Sequence, residues 1–168
     1  MKKHFLLFGF LMLIFSGGCA QDKDYDRMLK HLYSWNVDVI HPKQLSDTIA
    51  KGIKVVLLDS REPNEFNVSH LSSAINIGYD NFRMESISKI SKEDLIVVYC
   101  SVGYRSEKIG KELLDAGYKN VLNLYGGIFE WVNEGHGVVD NSNQSTTRVH
   151  AYSKSWGIWL KKGVKVYD

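Results

Sequence analysis

The stretch Cys100-Ser101-Val102-Gly103-Tyr104-Arg105-Ser106 puts a nucleophile, a flexible bend and a fixed cation within a few residues of one another. The thiolate is the reactive form of cysteine, and it is favoured where positive charge and backbone N–H groups converge. Gly103 lets the main chain curl so that its amides turn inward. A helix starting just after it adds the positive end of its dipole, and Arg105 adds a formal charge. Such a bend favours negative charge on the Cys100 sulfur and cradles a second anionic atom beside it. As a bare string, a cysteine followed five places later by arginine says little. Its setting says more, because an inert core cysteine needs neither the curl nor the cation.

That setting is legible from the flanking patterns. The runs KVVLLD (54–59) and DLIVVY (94–99) are continuous aliphatic stretches, suited to parallel strands covered on both faces. Shorter strands are expected over 37–40, 74–77 and 121–124. Between them, His41-Pro42 opens a helix carrying Leu45, Ile49 and Ala50, and Glu62 to Phe66 forms a helical turn with Pro63 near its start. A mixed helical stretch is expected up to Ile90. Arg105 to Ala116 places Ile109, Leu113 and Leu114 at helical spacing and stops at Gly117. Gly126-Gly127 then opens a helix with Ile128, Trp131 and Val132. Strands alternating with crossover helices predict an α/β domain on a parallel sheet, its ligand lying where strand C-termini meet helix N-termini. Chemistry is therefore expected just after Asp59 and just after Tyr99.

The chain's other cysteine, Cys19, has a different setting. Lys2 and Lys3 precede an apolar run from Phe5 to Phe15, and Ser16-Gly17-Gly18 lead directly to Cys19. These are the parts of a secretory signal, with an apolar run too short to span a bilayer comfortably. A cysteine at that junction is similar to the lipobox of bacterial lipoproteins, although Ser16 stands where leucine is commonest. The expectation is cleavage after residue 18, acylation of Cys19 and a cell-envelope location, the outer membrane favoured over the inner because Ala20 follows. A plain signal peptide leaving a periplasmic or secreted protein is the alternative. The expected organisation is a signal peptide over 1–18, a polar tether and lead-in over 19–36, the domain over 37–135, and a polar loop with an aromatic helix packed on the domain over 136–168.

Composition limits the function classes. The 168 residues are 44% hydrophobic and 24% charged with two prolines, which suits one domain with a real core. Net charge is +2, and without Lys2 and Lys3 basic and acidic side chains balance, so no nucleic-acid partner is implied. No spacing of His, Cys and carboxylates suggests a metal site.

At Cys100 to Ser106 the sequence resembles the rhodanese family of sulfurtransferases, whose single-domain members carry Cys-x-x-Gly-x-Arg-Ser. The resemblance runs from about Asp38 to Gly135 and includes three more motifs in the right order: Asp59-Ser60-Arg61 with Glu65-Phe66, the segment Ser69 to Ile77 around His70 and Asn76, and Gly126-Gly127 with Trp131. Ser69 and Ser73 stand where glycine is usual. The resemblance implies a five-stranded parallel sheet flanked by helices, and transfer of sulfane sulfur through a persulfide on Cys100 without a cofactor. It implies that the backbone of Ser101, Val102, Gly103, Tyr104 and Arg105 holds the terminal sulfur, with Arg105 also able to orient an anionic donor. Asp59, Arg61 and Ser106 read as support, and His70 as a packing histidine before a general base. Donors would be small sulfur anions such as thiosulfate; acceptors would be cyanide, a thiol or a protein cysteine. Phosphatases of the same fold close their loop one residue later, as Cys-x5-Arg, which makes room for a tetrahedral anion. The count here suits the smaller persulfide. A persulfide carrier or protein-docking module without turnover is the non-enzymatic alternative.

Overall fold

The computed structural model describes residues 18–167, with side chains described from residue 23 onward. The expected signal segment lies outside the described residues apart from Gly18, and so does the side chain of Cys19.

Five parallel strands form the central sheet: β1 (Val39–Ile40), β2 (Val55–Asp59), β3 (Ile75–Asn76), β4 (Leu95–Tyr99) and β5 (Asn120–Leu124), in the spatial order β1-β5-β4-β2-β3. The two aliphatic runs, β2 and β4, sit side by side near the middle with Leu58 opposite Val98 and Asp59 opposite Tyr99. Successive residues of a strand face opposite ways, so each run serves two cores. Leu57, Val97 and Tyr99 join Leu29, Leu45 and Phe129 on one face. Leu58, Ile96 and Val98 join Ile87, Ile109 and Leu113 on the other. Helices α1 (Gly18–Leu32), α2 (Pro42–Ala50), α3 (Pro63–Val68), α4 (Tyr104–Asp115) and α5 (Gly127–Asn133) flank the sheet. Because all strands run the same way, Asp59, Tyr99 and Leu124 end at one edge, and the segments entering α3, α4 and α5 start there.

Three expectations need correction. The stretch expected as a polar tether, 19–36, is helical as far as Leu32. Tyr25, Leu29 and Tyr33, each four residues after the last, are buried, and the Tyr25 ring stacks on Trp159 with centroids 5.2 Å apart. The dense charges of this segment hide that narrow stripe. The helical stretch expected up to Ile90 is a single 3-10 turn, Met84–Ile87. The tail is more than one helix. After β6 (Val138–Val139) pairs with β7 (Ser145–Thr146), β8 (Arg148–His150) pairs in parallel with β9 (Val164–Val166), and the four-residue α6 (Lys154–Gly157) lies between them. Leu160 is buried, whereas Tyr152 and Ile158 are exposed.

The two unusual serines have different explanations. Ser69 is extended at φ −170°, which any residue adopts, and Ser73 takes the left-handed φ of +65° that glycine would adopt more easily. Among the described residues no helix is long and apolar enough to cross a membrane.

Candidate active site

The chain leaves β4 at Tyr99 and bends through 100–103 into α4. Gly103 sits at φ +100°, and a Cβ there would collide with the hydroxyl of Tyr33 and lie 2.6 Å from its Cζ. Glycine is required on both counts. Every carbonyl of the bend is held from outside. The oxygen of Cys100 accepts from Ile128 N (2.9 Å) and that of Ser101 from Phe129 N (3.1 Å), in the first turn of α5. The oxygen of Val102 accepts from the Tyr33 hydroxyl at 2.7 Å. That of Gly103 accepts from Asn123 Nδ2 (2.9 Å) and Glu107 N (3.1 Å). In a trans peptide the N–H points opposite to the preceding C=O. Fixing four carbonyls outward therefore turns the amides of residues 101–104 to the inside of the bend. Gly103 N donates directly to Cys100 Sγ at 3.1 Å. Ser106 supports from behind, donating to Asn123 Oδ1 at 2.7 Å.

Arg105 has a partner that the sequence did not indicate. Its Nη1 and Nη2 donate to Glu65 Oε2 (2.7 Å) and Oε1 (2.8 Å), a bidentate pair with a buried carboxylate. Ser101 Oγ donates to the same Glu65 Oε1 at 3.1 Å. The guanidinium is thus paired with a buried carboxylate, tying the bend to α3, while Arg105 still lines the cleft beside Cys100. Burial would push the Glu65 carboxyl up, but the Arg105 guanidinium outweighs burial and holds it below its usual value of 4.5. A depressed carboxylate stabilises the fold fully above its unfolded pKa and loses that contribution as pH falls through the native value. Glu65→Gln should therefore flatten the loss of stability in the acid range below about pH 4.5, measured as denaturation midpoint against pH. An unchanged acid profile would show that the clamp contributes nothing to folding.

Asp59 and Arg61 form a second buried pair, each with no exposed surface. Arg61 Nη2 donates to Asp59 Oδ2 (2.6 Å) and to the carbonyl of Ser69 (2.7 Å). Burial opposes the Arg61 charge, yet the adjacent carboxylate keeps the guanidinium above its ordinary range. The pair stitches the end of β2 to the start of the 69–77 segment. His70 stacks on Phe66 at 3.8 Å between ring centroids, and its Nδ1 lies 3.1 Å from the Phe66 carbonyl oxygen. It is a packing histidine.

Cys100, only 2% exposed, lies at the floor of an open cleft of about 370 Å3. Glu62, Asp80, Tyr104, Tyr152 and Trp156 form much of its wall. The bend thus unites the expected residues Cys100 to Ser106, while Asp59 and Arg61 brace the adjoining strand end. Sequence reasoning missed Tyr33, Asn123 and the start of α5 as holders of the bend. It also missed Tyr152 and Trp156 as parts of the cleft. Glu65 was within reach as part of a motif, but its partner Arg105 is not indicated by any local pattern.

Comparison with known proteins agrees with this geometry. The family model described as "Rhodanese-like domain" matches residues 41–134, more than half of the chain. A tRNA uridine(34) hydroxylase of Hamiltonella defensa is 38% identical over 87 residues, covering 49% of this chain and 24% of that protein. The probable adenylyltransferase/sulfurtransferase MoeZ of Mycobacterium tuberculosis is 30% identical over 102 residues, covering 56% of this chain and 24% of that protein. The chain thus spans about a quarter of the length of these curated relatives. Among solved structures, a rhodanese-related protein of Thermoplasma volcanium superposes with a TM-score of 0.54 at 28% identity, covering 61% of this chain and 97% of that one. A thiosulfate sulfurtransferase of Pseudomonas aeruginosa shares the fold at a TM-score of 0.58 and 18% identity, covering 83% of this chain and 26% of that one. With the family model matched over more than half of its length and the five-stranded parallel sheet in place, this chain belongs to the rhodanese-like domain family.

Proposed function

We propose that the protein is a sulfurtransferase that moves sulfane sulfur from a donor such as thiosulfate to a nucleophilic acceptor through a persulfide on Cys100. The Cys100 thiolate attacks the outer sulfur of the donor. The S–S bond breaks, and its electron pair leaves with the remainder of the donor, which is sulfite when thiosulfate reacts. The acceptor then attacks the outer sulfur of the persulfide and releases the Cys100 thiolate. Inward-facing amides of residues 101–104 stabilise the anionic terminal sulfur as an oxyanion hole stabilises oxygen. The observation that carries this reading is the amide of Gly103 donating to Cys100 Sγ within a bend whose carbonyls are all held outward. Incubation with thiosulfate should add the mass of one sulfur atom to the intact protein. Cyanide should remove it as thiocyanate, and Cys100→Ser should never gain it. A wild-type protein that gains no sulfur from any donor would end the proposal, whereas sulfur gained but never turned over would make the protein a carrier.

A location at the cell envelope through an acylated Cys19 belongs to the same proposal. Only five residues separate Cys19 from the buried Tyr25, and at a helical rise of about 1.5 Å per residue the domain would lie close against the bilayer. Two or more acyl chains would hold it there stably. Metabolic labelling with palmitate should mark the wild type and spare Cys19→Ala; an unlabelled wild type removes the anchor.

A further inference from the structure

We infer that the C-terminal extension is the substrate-selecting wall of the Cys100 cleft, and that it favours an organic thiol or persulfide with an apolar or cationic substituent over a small sulfur oxyanion. The inference rests on the sulfur-transfer reading above and names the substrate class of that same site.

The extension lies beyond the residues 41–134 that define the family, yet Tyr152 and Trp156 line the same cleft as Cys100. They are held there by structure of their own. β8 and β9 pair from Arg148 opposite Val164 to His150 opposite Val166, and Ala151 N donates to the Val166 carbonyl at 2.8 Å. Val149, Ala151 and Leu160 anchor the unit in the core, and Gly157 packs so closely under Tyr167 that a Cβ would stand 2.6 Å from its hydroxyl. Tyr152 is not placed for burial. It is 53% exposed and sits at φ +63°, where residues with side chains are rare. Its ring faces the Arg105 guanidinium at 5.2 Å, beside the reactive bend. Backbone strain spent on an exposed ring at the mouth of a reactive site points to use of that ring.

Charge separates the two substrate classes. The Arg105 guanidinium is engaged by Glu65, and the cleft-wall carboxylates without an ion pair among the described residues are Glu62 and Asp80. Glu62 Oε1 accepts from the amides of Tyr79 and Asp80 at 3.1 Å each, which fixes its charge in place. Lys108 lies over the Tyr104 ring at 4.7 Å and does not itself line the cleft. A dianion entering this mouth meets two like charges, while the Arg105 cation that also lines the cleft is already paired with Glu65. A cationic or apolar substituent meets carboxylates and the faces of Tyr104, Tyr152 and Trp156, where cation–π and stacking contacts are available. The volume, about 370 Å3, suits a ligand well beyond a small inorganic anion.

The transfer balances without an oxidant. The Cys100 thiolate and R–S–S⁻ give the Cys100 persulfide anion and R–S⁻, one S–S bond forming as one breaks; the reverse step serves a thiol acceptor. Both a small aminothiol and a cysteine within a basic or apolar polypeptide segment have this chemistry.

The test uses the full chain and compares kcat/KM for thiosulfate, for cysteamine persulfide and for the persulfide of a short cysteine peptide flanked by lysine and leucine. The wild type should prefer the two cationic donors to thiosulfate by about tenfold or more. Tyr152→Leu with Trp156→Leu should reduce that preference about tenfold, while Tyr152→Phe with Trp156→Phe should keep it. Glu62→Gln with Asp80→Asn should shift preference towards thiosulfate. A peptide donor outrunning cysteamine persulfide identifies a polypeptide substrate, and parity identifies a small thiol; both support the assignment. It is overturned if the wild type prefers thiosulfate, or if the leucine pair slows all donors equally. Failure to form a persulfide with any donor would overturn the sulfur-transfer reading as well.

Discussion

Gly127→Ala should remove most sulfur transfer from a chain that still folds. At φ +56°, Gly127 packs against the Cys100 bend, and a Cβ there would collide with the carbonyl oxygen of Cys100 and lie 2.7 Å from the carbonyl carbon of Ser101. These are backbone atoms and cannot rotate away. Either the first turn of α5 retreats, stretching the Ile128 and Phe129 hydrogen bonds to the bend, or the bend itself turns. Both outcomes rotate the peptides whose amides surround the sulfur. A displacement of about 1 Å in a reacting group costs on the order of 100-fold in rate. Overpacking should cost about 1–3 kcal/mol of stability, so activity must be read where circular dichroism shows the variant folded. Gly137→Ala is the control, because a Cβ at that position has no atom within 4 Å. Wild-type kcat in Gly127→Ala would mean that the outward hold on the carbonyls does not matter to catalysis.

The second large effect concerns stability. Arg61→Leu should destabilise the fold by about 3–5 kcal/mol, because it leaves the Asp59 carboxylate buried without its partner. Asp59 has no exposed surface and accepts from Arg61 N (2.9 Å), Nε (3.0 Å) and Nη2 (2.6 Å). The double variant Asp59→Leu with Arg61→Leu should recover most of the loss, since removing both charges removes the uncompensated one. Urea midpoints for the two single and the double variants would measure this. The same series separates support from chemistry: sulfur transfer per folded molecule should persist in the double variant. If the double variant folds well and transfers nothing, the pair acts on the reaction itself.

Some features could be read locally because local patterning dictates them. An unbroken aliphatic run such as DLIVVY has no polar face to show to water, so it becomes the covered strand β4. Pro63 and Gly103 mark helix starts through their own backbone preferences, and α3 and α4 begin there. Other features could not be read this way. In α1, Tyr25, Leu29 and Tyr33 form a stripe one side chain wide among lysines and aspartates, and its burial depends on a surface supplied by α5 and Trp159. The tail shows enough aromatic residues for a helix, but pairing of β8 with β9 requires two segments to meet sixteen residues apart.

The parallel strands of the central sheet, the placing of Cys100 at the end of one of them and the curl at Gly103 all follow from residue types and spacings along the chain. Where charge ends up does not. Arg105 has the same formal charge whether it faces a substrate or a carboxylate, and the crossover from α3 to α4 brings it against Glu65, forty residues away. Likewise Tyr33, Ile128 and Phe129 hold the bend through contacts between distant segments. A local pattern reflects what a residue does to its own backbone. It carries no information about which remote group will consume a charge, because that depends on how the packed layers bring segments together.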